Sequence, residues 1–204
     1  MQQAKTNSSV KKAEGKLGIL TPGMGAVATT MYAGVEAIRR GLAKPVGSFV
    51  EMGSMRLGAR NESRTVNVRD FLSFSELNDI VFGGWDIFND NAYESAKNAK
   101  VLEKELLETL KPALEKIKPM SAVFDPEYIK RISGPNIKKA PTKMELAELL
   151  RQDIRNFVRD NNLSRVVMVW CASTESYITL GDVHSTLAKF EDGLRKNDPG
   201  IAPS

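Results

Sequence analysis

Two closely spaced glycines near the start of the chain form the motif best suited to chemistry. The motif runs from Gly23 to Ala28 with the sequence GMGAVA, a G-x-G-x-x-A pattern. Gly23 allows a tight turn, Gly25 has no Cβ atom to keep a pyrophosphate away from the backbone, and Ala28 lets a helix pack closely on a strand. The pattern predicts dinucleotide binding, and the alternative is a glycine-rich turn that binds nothing.

The residues on either side of this motif predict the two elements that would position it. Leu17 to Leu20 is a short apolar run, typical of a buried strand, and it stops at Thr21-Pro22. Apolar residues at helical spacing follow the motif as far as Gly41. The N-terminus of this helix would offer unpaired N–H groups and a partial positive charge to phosphate oxygens.

Three further apolar runs predict the other strands of a sheet. They span Val46 to Met52, Asp79 to Phe82, and Val166 to Cys171. The last run is continuous, so we expect a central strand that is buried on both faces. Glu51, near the end of the first run, is a candidate for binding ribose hydroxyls, and the alternative is an ordinary strand-end residue.

Small polar loops follow several of these strands. Right-handed crossovers bring the carboxyl ends of parallel strands to the same edge of a sheet. In the loop from Gly83 to Ile87, the Asp86 carboxylate is placed to accept hydrogen bonds from hydroxyl groups. The last strand runs into Ala172, Ser173 and Thr174. This convergence favours a nucleotide, because ligands of open α/β sheets bind at that edge.

The fold predicted from these elements is α/β, a Rossmann-like parallel sheet with helices on both faces. The clearest helix runs from Thr142 to Asn161, and Thr142 with Glu145 has the spacing of a capping box. A last helix is expected from Val183 to Leu194. Residues 1–15 are polar and predict a disordered tail, which leaves residues 16–204 as a single nucleotide-binding domain.

The composition of the chain argues against several classes of protein. The 204 residues are 42% hydrophobic and 26% charged, as in ordinary soluble domains. No apolar run approaches the ~18 residues of a membrane span. The one cysteine, Cys171, cannot form an internal disulfide, which favours a reducing compartment such as the cytoplasm. We expect it to be buried rather than nucleophilic, and the single histidine, His184, predicts no metal site.

The basic residues favour an anionic ligand without selecting nucleic acid. The net charge is only +4, and the basic residues alternate with acidic ones along most of the chain. A nucleic-acid-binding protein is therefore disfavoured. Four arginines between Gly53 and Asp70 would either bind phosphates or lie in a solvated, mobile loop. They are Arg56, Arg60, Arg64 and Arg69.

Four stretches of the sequence carry a resemblance to a known family. They are KLGILTPGMGAVATT, IVFGGWDI, the NIKK sequence with the helix from Lys143 to Val158, and VVMVWCASTES. The chain resembles the N-terminal part of the inositol-3-phosphate synthases, also called inositol-1-phosphate synthases, of the bacterial type. The resemblance covers the sequence from about Lys16 to Ser204.

The resemblance implies an isomerase of inositol and phospholipid biosynthesis that converts glucose 6-phosphate to an inositol monophosphate. NAD would be its cofactor, reduced and then reoxidised while the sugar is oxidised, enolised, closed by an aldol step and reduced. A cytoplasmic homo-oligomer is expected, with no nucleic-acid or membrane partner. By resemblance, the cofactor-binding residues would be Gly23, Met24, Gly25, Ala26 and Val27 at the pyrophosphate, Asp86 at the adenosine end, and Ala172, Ser173 and Thr174 along the dinucleotide path.

The chain departs from this family in two ways. Its glycine turn lacks the Gly-Gly-Asn-Asn sequence of the eukaryotic members, so side-chain amide contacts are missing. It also stops at Ser204, where by resemblance the catalytic and oligomerisation domain would begin, so no catalytic residue is assigned. We therefore expect an incomplete sheet, and a chain that is inactive alone and marginally stable or self-associating. The alternative function is a nucleotide-binding module without turnover.

Overall fold

A computed structural model of the chain describes residues 14–59, 61, 64–72, 74–173 and 176–202. Most of the tail predicted to be disordered therefore lies outside the described residues. In chain order the strands are β1 (Lys16–Pro22), β2 (Ser54–Leu57), β3 (Arg64–Asn67), β4 (Ile80–Asp86), β5 (Met120–Ser121) and β6 (Leu163–Met168). The helices are α1 (Ala26–Arg39), α2 (Phe49–Met52), α3 (Val68–Phe71), α4 (Ala92–Ala99), α5 (Lys104–Leu114), α6 (Lys143–Asp160) and α7 (Leu187–Lys196).

Four parallel strands form the main sheet, in the order β5-β4-β1-β6. The first strand in the chain, β1, is thus an inner strand, because β4 and β6 pair with its two sides. Ile19 is opposite Phe82 on one side and Val167 on the other. All these pairings are parallel, so the carboxyl ends of the strands meet at one edge of the sheet, as predicted.

Helices cover both faces of this sheet, which confirms the predicted α/β fold. On one face, α1, α4 and α5 surround a buried core that includes Tyr32, Phe82 and Leu110. On the other face, Phe157 of α6 lies over the two glycines Gly18 and Gly83. Since neighbouring residues of a strand point to opposite faces, Gly83 and Phe82 belong to these two different layers.

The predicted strand from Val46 to Met52 is wrong. This segment contains the short helix α2, and the Ser48 side chain accepts a hydrogen bond from the backbone N–H of Glu51 (3.3 Å). A serine that satisfies a free N–H group favours the start of a helix over a strand, despite the apolar residues that follow. Glu51 is therefore not at a strand end. It forms an ion pair with Arg69. Glu51 also lines a cavity with Leu17 and Ile80, at the amino ends of β1 and β4, which contradicts its suggested role as a ribose ligand at the other edge of the sheet.

The arginine-rich segment is an antiparallel hairpin in its described part, which corrects the prediction of a mobile loop. Arg56 and Arg64 lie on the paired strands β2 and β3. Arg69 forms ion pairs with both Glu51 and Glu76. Arg60 lies outside the described residues.

Gly83 and Gly84 were predicted to begin the loop after the strand, and this prediction is wrong. Gly83 and Gly84 lie inside the strand, which continues to Asp86. A Cβ atom on Gly83 would lie 2.7 Å from the ring of Phe157, and one on Gly84 would overlap the carbonyl oxygen of Thr21. The two glycines therefore allow close packing within the protein rather than the approach of a ligand.

The strand predicted to be central and buried, β6, is the outer strand of the sheet among the described residues. Its pairing with β1 does continue to Cys171, whose N–H donates to the carbonyl oxygen of Pro22 (2.9 Å). However, Val167 is 49% exposed and Trp170 is 58% exposed. The continuous apolar run predicted that other elements bury β6 on both faces. In the described part of the chain, β6 is only partly buried.

The long helix predicted before β6 is confirmed, together with its cap. The Thr142 hydroxyl accepts a hydrogen bond from the N–H of Glu145 (3.1 Å), and the Glu145 carboxylate accepts one from the N–H of Thr142 (3.0 Å). The last helix begins later than predicted, at Leu187. No helix in the described ranges has both the length and the apolar character needed to cross a bilayer.

Replacing Gly84 with alanine should lower the free energy of unfolding by about 2 kcal/mol, because the new methyl group would displace the backbone of β1. Gly34 is the matched control, since it is exposed on α1 and has open space around its Cβ position. Gly34→Ala should instead raise stability by about 0.5–1 kcal/mol. Urea unfolding of both variants measures the difference, and equal effects would contradict the proposed packing role.

Candidate dinucleotide-binding site

The glycine turn between β1 and α1 is held between the ends of two neighbouring strands. Gly23 has a φ of +81°, a conformation that favours glycine. Its N–H donates a hydrogen bond to the carbonyl oxygen of Trp85 (2.9 Å). A Cβ atom on Gly23 would lie 2.8 Å from the backbone of Ala172. Both the conformation and the close packing therefore require glycine at this position.

Met24, the next residue, is fixed by side chains from two other elements. Its N–H donates to Oδ2 of Asp86 (2.6 Å), at the end of β4. Its carbonyl oxygen accepts a hydrogen bond from the Ser95 hydroxyl of α4 (2.6 Å). The Met24 side chain is buried in the core. Met24 thus anchors the turn, and its N–H group is already paired with a carboxylate.

The residues after Met24 are open to solvent. Gly25, Ala26 and Val27 are exposed, and Val27 has 65% of its surface accessible. Within the described chain no side chain caps α1, and its first turn has no acidic residue. The N-terminus of α1 therefore presents backbone N–H groups and a partial positive charge to solvent.

Gly25 differs from Gly23 because nothing in the described structure requires a glycine there. Its φ is −78°, and a Cβ atom would have no heavy atom within 4 Å. The space in front of this backbone is open, so a ligand can approach it closely. An open backbone at a helix N-terminus suits the oxygens of a pyrophosphate.

The segment after β6 lies beside the glycine turn, although not all of this segment is described. Ala172 packs against Gly23, and Ser173 is exposed beyond it. Thr174 lies outside the described residues. Cys171 is half-buried, and burial raises the pKa of its thiol, which fits a packing residue better than a nucleophile.

Below the turn, a buried pair of hydroxyl groups supports the end of β1. The hydroxyls of Thr21 and Tyr32 are hydrogen-bonded to each other, and each lies 3.4 Å from the carbonyl oxygen of Gly83. Both residues have no exposed surface. Burial raises the pKa of Tyr32 from 10.0 to about 12. The pair therefore stays neutral and links α1 to β1 and β4.

Several residues around the site were missed by the sequence analysis. Ser95 had no distinguishing pattern, since a lone serine in a helix has no specific signal. The Trp85 indole N–H donates to Oδ2 of Asp153 (2.7 Å), and Lys138 pairs with the same oxygen at 2.8 Å. These three residues are distant in sequence, so only the fold brings them together.

Other candidate residues are not brought to this edge. Glu51 and Arg69 pair with each other in the segment between α1 and β4. The Nδ1 atom of His184 accepts a hydrogen bond from the N–H of Gly181 (3.1 Å). In the part of the chain that the structure describes, no three His, Cys, Asp or Glu side chains are grouped as metal ligands would be.

Comparison with known proteins decides the family. A family model for the NAD-binding region of myo-inositol-1-phosphate synthase matches residues 17–204. The chain belongs to the myo-inositol-1-phosphate synthase family. NAD is accordingly the cofactor of this domain. The open backbone at Gly25 and the uncapped N-terminus of α1 leave room and unpaired N–H groups for an anionic group.

Individual members of the myo-inositol-1-phosphate synthase family agree in sequence and in structure. Inositol-3-phosphate synthase 1 of Bacteroides thetaiotaomicron is 51% identical over 197 residues, which are 96% of this chain and 45% of that protein. Inositol-3-phosphate synthase of Sesamum indicum is 32% identical, over 93% of this chain and 40% of the relative. The crystal structure of inositol-3-phosphate synthase from Caenorhabditis elegans superposes with a TM-score of 0.84 at 27% identity, over 95% of this chain and 41% of that one.

The chain thus spans less than half the length of these family members. Each match covers nearly all of the chain, so the relationship extends over the whole domain and not only over the glycine turn. The hairpin of β2 and β3, which the sequence analysis did not predict, lies within the matched region.

Tyr32→Phe should change how stability depends on pH. The pKa of Tyr32 is raised by burial, so its neutral form stabilises the folded state fully below pH 10, and this contribution is lost as the pH rises towards about 12. Between pH 10 and about 12, the free energy of unfolding of the wild type should fall by about 1.4 kcal/mol per pH unit more than that of the variant. Urea unfolding from pH 9 to 11.5 measures the slopes, and parallel slopes would refute the buried neutral tyrosine.

Proposed function

We propose that this chain supplies the dinucleotide-binding part of an NAD-dependent enzyme that converts glucose 6-phosphate to an inositol monophosphate. The observation that carries this proposal is the open backbone at Gly25. It follows a turn that is already fixed by contacts with Trp85, Asp86 and Ala172. A preformed site of this kind binds without a further ordering cost. The function would serve the synthesis of inositol and of the phospholipids that contain it.

In this proposal the exposed end of α1 binds the pyrophosphate of NAD. The N–H groups of Gly25, Ala26 and Val27 would donate to phosphate oxygens, aided by the partial positive charge of the helix N-terminus. Gly23 and Met24 would act by shaping the turn, since their own N–H groups are paired with Trp85 and Asp86. Of the five residues from Gly23 to Val27, two would therefore shape the turn and three would bind the pyrophosphate.

Asp86 would have two roles at once. Its Oδ2 atom accepts from Met24, and its Oδ1 atom accepts from the N–H of Phe88 (3.0 Å). A carboxylate has about four acceptor positions, so capacity remains for a hydroxyl group at the adenosine end of NAD. Ala172, Ser173 and Thr174 would line the path of the dinucleotide beyond the turn.

When bound, NAD supplies the hydride acceptor and donor that the reaction needs. The residues of this domain would orient it and shield it from water on the side of the sheet. We assign the acid–base chemistry on the sugar to the part of the family members that this chain does not match. Residues 16–204 would accordingly form one NAD-binding domain.

We also propose that the protein works in the cytoplasm as a homo-oligomer. The exposed apolar side chains of Val167 and Trp170 on and after β6, and of Val46 and Phe49 before β2, support the homo-oligomer. Contiguous apolar surface is usually covered by other protein surface.

Gly25→Val should abolish NAD binding, because a branched side chain would fill the space proposed for the pyrophosphate. Gly47→Val is the matched control, since Gly47 is also exposed and has no heavy atom within 4 Å of its Cβ position. Calorimetric titration with NAD should give a dissociation constant at least ~100-fold weaker for Gly25→Val and unchanged for Gly47→Val. Binding by a folded Gly25→Val variant would contradict the proposed site.

A chimera tests the proposed reaction. In it, the matched region of the Bacteroides synthase is replaced by this chain, which is 51% identical to it. We expect the chimera to convert glucose 6-phosphate to inositol monophosphate in the presence of NAD, as followed by phosphorus NMR, and its Gly25→Val form to be inactive. A folded chimera that binds NAD without turnover would instead indicate a nucleotide-binding module without catalysis.

A further inference from the structure

The loop before α6, which contains the NIKK sequence from Asn136 to Lys139, lies across the ends of β4 and β5. The N–H of Asn136 donates to the carbonyl oxygen of Ile87 (2.8 Å), and the carbonyl oxygen of Asn136 accepts from the N–H of Ala122 (3.0 Å). Gly134 packs so closely on Ile87 that a Cβ atom would overlap the Ile87 carbonyl group. The loop therefore joins the turn after β4 to the end of β5 through its backbone.

The side chain of Asn136 adds a second set of contacts at the same place. Its Nδ2 group donates to the carbonyl oxygen of Asp86 (2.9 Å) and lies 3.3 Å from that of Met120 and 3.4 Å from that of Phe88. Its Oδ1 atom accepts from the Ser121 hydroxyl (2.7 Å). One amide thus contacts the backbone of β4, of the turn after it and of β5, and accepts a hydrogen bond from a side chain of β5.

These contacts act on the residue that holds the glycine turn. Asn136 fixes the backbone of Asp86, and the Asp86 carboxylate in turn accepts the N–H of Met24 at 2.6 Å. The three residues form a continuous series of hydrogen bonds from the loop to the turn. Because hydrogen bonds to an ionised carboxylate are strong, the position of the Asp86 carboxylate determines where the Met24 N–H lies.

We propose that Asn136 is a positioning residue for the NAD site: it holds Asp86 so that the turn at Met24 and Gly25 keeps its binding geometry. This inference rests on the proposed function of that turn. Asparagine suits the position because it provides a donor for carbonyl oxygens and an acceptor for a hydroxyl on one planar group. Aspartate has nearly the same shape but would place an acceptor against three carbonyl oxygens.

Amide hydrogen exchange measured by NMR on the chain without ligand tests the positioning directly. We expect the Met24 amide to exchange about tenfold faster in Asn136→Ala and in Asn136→Asp than in the wild type. Asn161→Ala is the matched control, because it removes a side-chain hydrogen bond to the carbonyl oxygen of Phe157 (3.0 Å) at the opposite end of the sheet. The control should leave Met24 exchange unchanged.

Titration of the same variants with NAD separates this inference from the proposed function. We expect about tenfold weaker binding in both Asn136 variants and unchanged binding in Asn161→Ala. Unchanged Met24 exchange in the Asn136 variants, or an equal rise in the control, would overturn the positioning role. Faster Met24 exchange with unchanged NAD affinity would confirm that Asn136 holds the turn but would overturn the turn as the NAD site.

Discussion

The close contact between the backbones of Gly23 and Ala172 is the constraint on which the site depends. It brings the segment after β6 against the turn that follows β1, with no side chain between them. The N–H of Gly23 is then directed to β4, where it meets the carbonyl oxygen of Trp85. Three strands from distant parts of the sequence are thereby fixed around one turn, and the open end of α1 has a defined direction.

A negative charge next to an anion site needs an explanation, and the hydrogen bonds provide one. The Asp86 carboxylate accepts the N–H groups of Met24 and Phe88, so both of its oxygen atoms are bonded to backbone near the turn. The N–H groups further along the turn remain available to phosphate oxygens. The charge of Asp86 is thus used to build the turn, while the helix N-terminus provides the attraction for the ligand.

The sequence predicted the elements whose signals are local. The strand before Gly23, the helix after it and the capping box of Thr142 and Glu145 all depend on residues within a few positions of one another. The strand predicted from Val46 to Met52 was wrong because the apolar pattern fits a strand, whereas the Ser48 cap stabilises the start of a helix. The prediction that Gly83 and Gly84 lie in a ligand-binding loop was wrong because the residues they pack against, Phe157 and Thr21, are brought there only by the fold. Asn136 was quoted only within the NIKK stretch and was given no role, since most of its partners are carbonyl groups that any sequence provides.

The order of the strands also determines when the domain can form during synthesis. β1 is made first, but its partner β6 follows about 150 residues later, after β4 and β5. Contacts so distant in sequence form slowly, because a long chain must be ordered before they are made. On the ribosome, β1 therefore has an open side until residue 168 has emerged. The glycine turn, although encoded near the N-terminus, is among the last parts of the domain to be completed.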